Sequence, residues 1–524
     1  MMGKIGKTFF VGMIAVGLVS CTACSSKKEN KEEVVKVDDV SQKITKAGTY
    51  ELSGEIEGGI VVDADKEDEI TLVLNGVNLS SEEDAAIKVL KAKKVTIMLK
   101  EDTKNYIEDS GERNGLKASE VESQDSTEEE YDAAIYSKSD LYFEGTGELQ
   151  ITANYKDAIS GKDSVYIEEG NYKIQAENHA VKGKDYLEIQ DGNFEINCTQ
   201  DAFHSNGDFL ILSGSFSVNV GDDAFHADEA LKIEDGVIDI SSCNEGLEGR
   251  SVTILNGEIS IVSSDDGINA ASSSETTETE NKRGNMFEVN EENEIRVEGG
   301  HIYINANGDG IDSNGNVTIS GGTIEVDGCE NSGNGALDYN GTCDITGGSL
   351  IAVGSSGMAQ GISDSSSLYG IMMTLNTKMK EGTNITLEGE EGELILYTPT
   401  KTFNNVVIAD ARLEQGKEYT LKVGDDILVS FTISDTMTYL DENGVTEKQN
   451  GMKGNFGKGG SMDPGQMPEG FEPPEGVDLP EGKERPGKME FPEGQERPEK
   501  MELPEGMEMY KGGDKKSEIE KTEE

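Results

Sequence analysis

A repeat of about 22 residues runs through the middle of the chain and constrains its fold more than any other feature. Each repeat contains a glycine followed by an alternating strand pattern, and successive glycines lie 22, 22, 22, 21, 43, 22 and 26 residues apart. The interval of 43 is two periods joined by an insertion. Repeats of this length are typical of solenoids, in which each unit stacks on the last. The repeat glycines are Gly170, Gly192, Gly214, Gly236, Gly257, Gly300, Gly322 and Gly348.

Columns of apolar residues keep a fixed distance from the repeat glycines. Three positions before the glycine, for example, the chain has Ile167, Ile189 and Ile211, and the residues between the columns are mostly polar. Alternation with a period of two gives strands with one buried face. Strands that recur with like side chains in register predict an all-β protein, wound into a parallel β-helix over residues 37–374. Residues 375–440 lose the period but keep strand patterns, and we expect a C-terminal β cap there.

An acidic residue recurs before one strand of most repeats, in the shared phrase acid, small, apolar, polar. Two of these acids are doubled, at residues 222–223 and 265–266, and a second acid follows Asp309 at Asp312. Stacked coils place such carboxylates about 4.8 Å apart, close enough for two coils to share one cation. Calcium fits because it accepts about six to eight oxygen ligands in loose geometry. The acids of the phrase are Asp157, Asp201, Asp223, Glu245, Asp266 and Asp309.

A second interpretation of these acids stays open. Asp and Asn suit turns, because they tolerate unusual backbone angles and hydrogen-bond to nearby amides. Turn formation explains one acid per coil, but it explains neither the doubled acids nor the pair Asp309 and Asp312. The sequence therefore favours calcium and keeps turn formation as the alternative.

Two histidines follow the acid of the phrase by three residues. His204 and His226 occupy equivalent places in successive coils, so we expect their rings to lie near each other beside the acids. They could act as an acid/base pair or as donors to a sugar. An outward polar ladder without a catalytic function is the interpretation that we favour.

Acidic residues outnumber basic residues by 103 to 46, which gives a formal charge of −57. Such a surface repels a polyanion, so a nucleic-acid partner is excluded. The chain has no tryptophan, which weakens a flat aromatic platform for cellulose. Tyr142 and Tyr166 share one column and could stack on sugar rings. The acidic surface instead favours calcium-bridged contact with an anionic polymer such as pectate.

The N-terminus has the pattern of an export signal. Two lysines precede an apolar run at residues 9–19, which is too short to span a bilayer. The sequence LVSC at residues 18–21 then resembles a bacterial lipoprotein signal. We expect residues 1–20 to be removed, Cys21 to be lipidated, and residues 21–36 to form a tether on the outer face of the cell membrane. A signal peptide cut nearby, beside a coincidental cysteine, is the alternative.

Two further features complete the domain organisation. Pro-Glu-Gly units recur in residues 441–524, which predicts a disordered tail. The cysteines of the body are Cys198, Cys243, Cys329 and Cys343, and their spacing fits no zinc pattern. We interpret them as small buried apolar residues, with a disulfide between Cys329 and Cys343 as the alternative.

The sequence resembles a known family in the phrases AGTYELSG at 47–54, LVLNGVNL at 72–79, SKSDL at 137–141 and GSSGMAQ at 354–360. This family is the secreted, clostridial-type carbohydrate-binding domain proteins, whose right-handed parallel β-helix is similar to that of polysaccharide lyases. The resemblance implies binding of plant cell-wall polymers such as cellulose or polygalacturonate, with calcium held by acids of the coils. Carried over by position, the implied calcium ligands are Asp201, Asp222, Asp223, Glu245, Asp265, Asp266, Asp309 and Asp312.

The sequence leaves open whether the protein has an enzymatic activity. Lyases of this shape need a basic residue to abstract a proton and calcium to neutralise the uronate. Arg250 is the best candidate base, although an ion pair with Glu245 and Glu248 is the role we favour. A polygalacturonase-like hydrolase would use paired carboxylates, but its G-H-G and R-I-K phrases are missing. We predict a monomeric surface protein that binds polysaccharide without turnover, with a calcium-dependent pectate-lyase-like enzyme as first alternative and the hydrolase as second.

Overall fold

Parallel strands are the main regular structure of the described residues. The computed structural model describes residues 35–37, 42–112, 131–272, 289–425 and 427–448, and these residues contain strands, turns and loops but no helix. Within these ranges no helix is long and apolar enough to cross a membrane. They all belong to the unit Met1–Gly460, and the second unit, Ser461–Glu524, lies outside them. The predicted signal peptide, Cys21 and most of the predicted tail also lie outside the described residues.

The strands form three stacks, and the chain visits all three in each of about 12 coils. The first stack is β1 (Val35–Val37), the first part of β3 (Gly48–Glu57), the first part of β5 (Glu69–Ser80), β7 (Lys94–Leu99), β10 (Asp140–Glu144), β13 (Val165–Ile167), β16 (Tyr186–Ile189), β19 (Asp208–Ile211), the last parts of β21 (Phe225–Ile233) and β23 (Leu247–Ile254), β26 (Glu294–Val297), β29 (Asn316–Ile319) and β32 (Cys343–Ile345).

The second stack follows the first along the chain. It contains the last parts of β3 and β5, β8 (Lys104–Glu108), β11 (Glu148–Ala153), β14 (Asn171–Ala176), β17 (Asn193–Cys198), β20 (Ser215–Val220), β22 (Val237–Cys243), β24 (Glu258–Ser263), β27 (His301–Ala306), β30 (Thr323–Asp327) and β33 (Ser349–Gly354).

The third stack closes each coil and carries the acidic phrase. It contains β2 (Gln42–Ile44), β4 (Ile60–Asp63), β6 (Ile87–Lys91), β9 (Ala133–Ser137), β12 (Asp157–Gly161), β15 (Val181–Gly183), β18 (Phe203–Ser205), the first parts of β21 and β23, β25 (Ile268–Ala270), β28 (Ile311–Ser313) and β31 (Leu337–Tyr339). All pairings within the three stacks are parallel, so the predicted all-β parallel β-helix is confirmed.

The repeat glycines lie between the first and second stacks, where the chain turns a corner. Each has a positive φ, from 82° at Gly348 to 140° at Gly236. A side chain there would also meet the preceding coil, because a Cβ added to Gly257 would lie 3.0 Å from the carbonyl oxygen of Gly236. Only glycine has both the backbone freedom and the space for this corner. The glycine period is therefore a direct consequence of coil stacking.

The core is built from the predicted apolar columns. Ile167, Ile189 and Ile211 pair in register, and all three are fully buried. Phe194 stacks on Phe216 with ring centroids 4.9 Å apart, so like side chains form continuous rows inside the coils. The four body cysteines are buried and free, as interpreted from the sequence. The alternative disulfide between Cys329 and Cys343 is therefore wrong.

The C-terminal strands follow the last coil, and one of them pairs with it. These strands are β34 (Gly370–Met379), β35 (Ile385–Gly389), β36 (Gly392–Tyr397), β37 (Phe403–Asp410), β38 (Glu418–Val423), β39 (Ile427–Thr432), β40 (Met437–Asp441) and β41 (Gly444–Val445). Strand β37 pairs antiparallel with β33, so the final edge of the second stack is not left open. Strands β36, β35, β38 and β39 form a separate antiparallel sheet over a second core. Strand pairing thus continues past residue 440, and the predicted domain boundaries stay predictions.

Candidate metal-binding ladder

Two columns of mostly polar side chains flank the buried residues of the third stack. Positions are counted in each coil from the inward apolar residue of the third-stack strand, such as Ile159 or Val181. The leading column is the residue two positions before it, and the trailing column is the residue one position after it. Strand pairing keeps both columns in register. We call the two columns together the ladder. The leading column is Asp157, His179, Asp201, Asp223, Glu245, Asp266 and Asp309. The trailing column is Ser160, Lys182, His204, His226, Glu248, Asn269, Asp312 and Asp338.

Several acids of the leading column accept a backbone N–H from the next coil. Oδ1 of Asp201 accepts the N–H of Asp223 at 3.0 Å, and Oδ1 of Asp157 accepts the N–H of His179 at 3.2 Å. A buried N–H without an acceptor costs about 1–3 kcal/mol. One carboxylate oxygen of such an acid therefore helps to join successive coils, as the turn interpretation expects. The other oxygen is left for contacts on the surface of the ladder.

His179 and His204 converge on the second oxygen of Asp201. Their Nδ1 atoms lie 3.3 and 2.7 Å from Oδ2 of Asp201, and one ligand atom from each of the three residues lies within 4.8 Å of the others. Burial raises the pKa of Asp201, but hydrogen bonds from the two imidazoles outweigh it, so the net pKa is lowered. Burial lowers the pKa of His204, which favours its neutral ring.

His226 stands among three carboxylates. Its Nδ1 lies 3.1 Å from Oδ2 of Asp223 and contacts Glu248, while its Nε2 lies 3.2 Å from Oδ1 of Asp228. Burial lowers the pKa of His226, but Asp223 and Glu248 outweigh it and raise the pKa to about 11. Its ring stacks on that of His204 with centroids 4.6 Å apart. The predicted neighbourhood of the two rings is confirmed, and their acid/base role stays a prediction.

Asp223 and Glu248 compete for protons beside His226. Burial, reinforced by Glu248, raises the pKa of Asp223 to about 9. Partial burial raises the pKa of Glu248 as well, but hydrogen bonds with His226 and Asp223 outweigh it, so the pKa of Glu248 is lowered. Without another cation, this part of the ladder therefore disfavours ionisation of both carboxylates at once and favours the charged form of His226.

The C-terminal end of the ladder offers oxygen atoms alone. Asp266, Asp309 and Asp312 each place one carboxylate oxygen within 4.8 Å of the others. Burial, together with the negative charges of Asp265 and Asp338, raises the pKa of Asp266 to about 6. The negative charges around Asp266 thus disfavour its ionised form, and a bound cation would relieve this penalty.

Asn269 adds a further oxygen beside this cluster. It pairs in register with Asp312, is 8% exposed, and donates from Nδ2 to Oε2 of Glu245 at 2.8 Å. Its Oδ1 is buried and has no hydrogen-bond partner among the described residues. Burial, followed by the charge of Glu248, raises the pKa of Glu245 to about 7. A buried acceptor without a donor is costly unless a cation or water meets it.

The predicted calcium ligands divide into two groups. The candidate clusters among the described residues include Asp201, Asp223, Glu245, Asp266, Asp309 and Asp312. Asp222 and Asp265 fall outside these clusters, because each stands one residue before the leading column. Burial and the charge of Asp201 raise the pKa of Asp222, whereas Asp265 is exposed. The doubled acids thus contribute one residue each to the clusters, and their metal stays a prediction.

No sequence prediction covered the ladder residues His179 and Lys182, or Asp228 beside the ladder. His179 and Lys182 fill the leading and trailing positions of one coil, and Asp228 contacts His226 from beyond the trailing column. His179 lies 22 residues before Asp201, so the period alone could have located it. It escaped notice because a histidine replaces the acid there. No sequence signal identified Asp228, since its contact depends on the direction of the His226 side chain.

Arg250 does not have the predicted partners. It forms ion pairs with Glu229 and, at 3.1 Å, with Glu292, rather than with Glu245 and Glu248. Glu229 and Glu292 stand on the coils to either side of Arg250, so its long side chain reaches across coils rather than back along strand β23. The expectation of an ion pair is therefore confirmed, but the two acids named for it are wrong. An arginine held by two carboxylates is poorly suited to act as a base.

Two half-buried tyrosines on the first stack form a stack of their own. Tyr142 and Tyr166 share a column, as predicted, but their rings stack on each other at 4.5 Å. The Nζ of Lys94 lies 3.5 Å from the centroid of the Tyr142 ring. Because both faces of the Tyr142 ring are occupied, this ring is unavailable for stacking on a sugar.

Comparisons with known proteins confirm the resemblance. Residues 38–286 match the family model described as carbohydrate-binding domain-containing protein. A protein of that description from Acetivibrio thermocellus is 34% identical over 152 residues, which are 28% of this chain and 50% of that relative. The match thus spans half the length of the relative.

A solved structure, the polysaccharide lyase-like protein from C. thermocellum in its gadolinium derivative, is also similar. It is 24% identical, and the alignment covers 59% of this chain and 89% of that chain with a TM-score of 0.26. This score is too low to compare the positions of individual residues.

Proposed function

We propose that this protein binds an acidic polysaccharide, such as polygalacturonate, through calcium ions held on the ladder. The observation that carries the proposal is the group Asp266, Asp309 and Asp312, beside which Asn269 offers a buried oxygen without a partner. Carboxylate and amide oxygens are the ligands that calcium takes in proteins. The match to carbohydrate-binding domain proteins supports a polysaccharide as the partner.

Calcium would reverse the electrostatics of this surface. The chain has a formal charge of −57, so a bare ladder repels the carboxylates of a uronate polymer. A calcium ion has about six to eight coordination positions, and three side chains leave some of them open. Oxygens of the polymer can fill those positions. Coils about 4.8 Å apart would allow several ions to bind along one polymer chain.

Binding without turnover is favoured over a lyase by the position of the basic side chains. Arg250, the best candidate base in the sequence, is held by Glu229 and Glu292. Lys182 is the basic residue of the trailing column, and it pairs with His204 rather than with the oxygen cluster. The oxygen cluster itself has no basic residue among its three members. A lyase needs its base next to the calcium-bound uronate.

The proposal also places the protein on the outer face of the bacterial cell membrane. It rests on the export pattern of residues 1–20 and on a lipid at Cys21. Labelling cells with a radioactive fatty acid tests this placement. The intact chain should carry label in the membrane fraction, and Cys21→Ser should carry none. Equal labelling of Cys21→Ser would contradict the anchor.

Affinity electrophoresis of the purified chain in gels containing polygalacturonate tests the binding function. We expect retardation with calcium, none with chelator, and none in gels containing a neutral dextran. The double variant Asp309→Asn with Asp312→Asn should lose the retardation. The matched control Asp239→Asn with Glu298→Gln removes the same charge from exposed positions and should keep it.

The same samples separate binding from catalysis. Ultraviolet absorbance from unsaturated products would establish a lyase, and new reducing ends without that absorbance would establish a hydrolase. Equal retardation with calcium and with chelator would contradict the proposed site. Retardation of the double variant Asp309→Asn with Asp312→Asn would contradict it as well.

A further inference from the structure

Three of the four histidines of the chain lie in one short part of the ladder. His179, His204 and His226 occupy three successive coils, with ring centroids 5.0 and 4.6 Å apart along the row. The fourth, His301, lies on the second stack. Imidazole nitrogens are therefore concentrated at one end of the ladder, whereas Asp266, Asp309 and Asp312 at the other end offer only oxygen.

From this distribution we infer a second kind of metal site, in which His179, Asp201 and His204 bind zinc or a similar nitrogen-preferring divalent transition metal. The inference is independent of calcium and of the proposed function. Calcium takes oxygen ligands, whereas imidazole with carboxylate suits zinc, copper, nickel and iron. Two histidines and one carboxylate are a sufficient protein ligand set for zinc when a fourth position is open to water.

The distances between the ligand atoms fit a small metal ion. Zinc lies about 2.0–2.1 Å from nitrogen and oxygen ligands, so tetrahedral ligands stand about 3.3 Å from one another. The Nδ1 atoms of His179 and His204 lie 3.3 and 2.7 Å from Oδ2 of Asp201, and the set fits within 4.8 Å. Small side-chain rotations are enough to bring these atoms onto one ion.

A hydrogen bond to Asp201 prepares one of the three ligands. Oδ1 of Asp201 is occupied by the N–H of Asp223 at 3.0 Å, which leaves Oδ2 for the histidines. Outer contacts of this kind orient metal ligands. Nδ2 of Asn206 lies 3.2 Å from Nε2 of His204, and since a metal on Nδ1 requires a proton on Nε2, this amide would have to turn away when the metal binds.

One contact already places His179 beside its proposed co-ligand. Nδ1 of His179 lies 3.3 Å from Oδ2 of Asp201 and 3.2 Å from the backbone nitrogen of Asp201. The nitrogen that would bind the metal therefore stands next to the carboxylate that would share it.

Cobalt(II) and zinc titrations of the full chain, prepared without a histidine tag and stripped of metal, test this site. We expect one equivalent of cobalt(II) to give the strong visible absorption of a tetrahedral ion, and zinc to displace it. A large excess of calcium should leave the band unchanged. A weak, octahedral-type spectrum, or displacement of cobalt by calcium, would overturn the inference, and neither result requires a variant to fold.

Variants then assign the ligands. His179→Gln and His204→Gln should each weaken zinc binding at least about 100-fold, because loss of a residue that merely orients a ligand already costs about 10–100-fold. His301→Gln should bind zinc as the parent does. Asp309→Asn with Asp312→Asn should also keep zinc while losing calcium, which separates this site from the proposed function. Unchanged zinc affinity in His179→Gln and His204→Gln would overturn the assignment.

Discussion

The backbone N–H of Asp309 donates to Oδ1 of Asp266 at 2.6 Å, although 43 residues separate them in the chain. The same type of bond joins Asp223 to Asp201 across 22 residues. The coil is therefore closed in the same way whether or not an insertion interrupts the repeat. Acids of the ladder take part in both the construction of the coils and the candidate metal sites, so experiments must separate these two roles.

Asp157 shows the structural role of a leading-column acid. It is 2% exposed, and its Oδ1 accepts from Asn178 at 2.6 Å and from the N–H of His179. Asp157→Ala removes the acceptor for both donors and should lower the free energy of unfolding by about 1–3 kcal/mol. Asp157→Asn keeps an acceptor oxygen and removes a buried charge, so it should lower the free energy of unfolding by less than Asp157→Ala does. Urea unfolding near neutral pH measures both, and equal losses would show that the charge matters rather than the acceptor.

Calcium should stabilise the folded protein through the oxygen cluster. A ligand that binds only the folded state adds about 2.7 kcal/mol when its concentration is 100 times its dissociation constant. The thermal midpoint of the parent chain should therefore rise with calcium. Asp309→Asn with Asp312→Asn should abolish this rise, and the control Asp239→Asn with Glu298→Gln should preserve it. A parent midpoint that does not depend on calcium would rule out this site.

The period of the sequence predicted the coils well because a β-helix repeats the same backbone environment. Ile167, Ile189 and Ile211 align as expected, and Ile87 pairs with Ile135 across an acidic insertion. Each coil must fill the same interior volume, so its buried positions are constrained in every repeat. Apolar columns therefore carry strong register information.

The polar partners were harder to predict, because they depend on side-chain directions. Asp222 and Asp223 stand in the connection before strand β21, so the alternation of strand side chains could not show which of the two joins a cluster. Arg250 has a long side chain that can reach several acids, and its actual partners, Glu229 and Glu292, stand on neighbouring coils. His179 was missed because the pattern was defined by charge, although the period contained it.

Glu245 and Asp266 should make the metal-free protein less stable as the pH rises from about 4 to about 7. Their pKa values are raised to about 7 and about 6 from 4.5 and 3.8, mainly by burial. In that range these two groups bind more protons in the folded state than in the unfolded state, so their contribution to stability is lost as the protons leave. One pKa unit corresponds to about 1.4 kcal/mol, so the two groups together contribute a few kcal/mol.

Urea unfolding in chelator across this range measures the effect. Glu245→Gln with Asp266→Asn stays neutral, so its stability relative to the parent should increase as the pH rises. A difference between parent and variant that is independent of pH would contradict the raised pKa values. Saturating calcium should reduce the loss in the parent, since the metal competes with the protons and is favoured at higher pH.

The repeat glycines should tolerate alanine less well than other glycines of similar backbone angle. Gly300 has a φ of +88°, and a Cβ there would lie 2.7 Å from the carbonyl oxygen of Gly257. Gly76 has a φ of +69°, but no atom lies within 4 Å of its added Cβ. Gly76→Ala should therefore lower the free energy of unfolding only by the cost of placing alanine in a left-handed backbone conformation, about 1–2 kcal/mol.

Gly300→Ala should lower the free energy of unfolding by about 1–3 kcal/mol more than Gly76→Ala does, because the coils must separate to admit the methyl group. Urea unfolding of the two variants in the same buffer measures the difference. If Gly300→Ala fails to accumulate as folded protein while Gly76→Ala does, the order is the expected one. Equal losses in the two variants would mean that backbone conformation alone selects glycine at the corner. The 22-residue period would then reflect the corner itself rather than the close approach of successive coils.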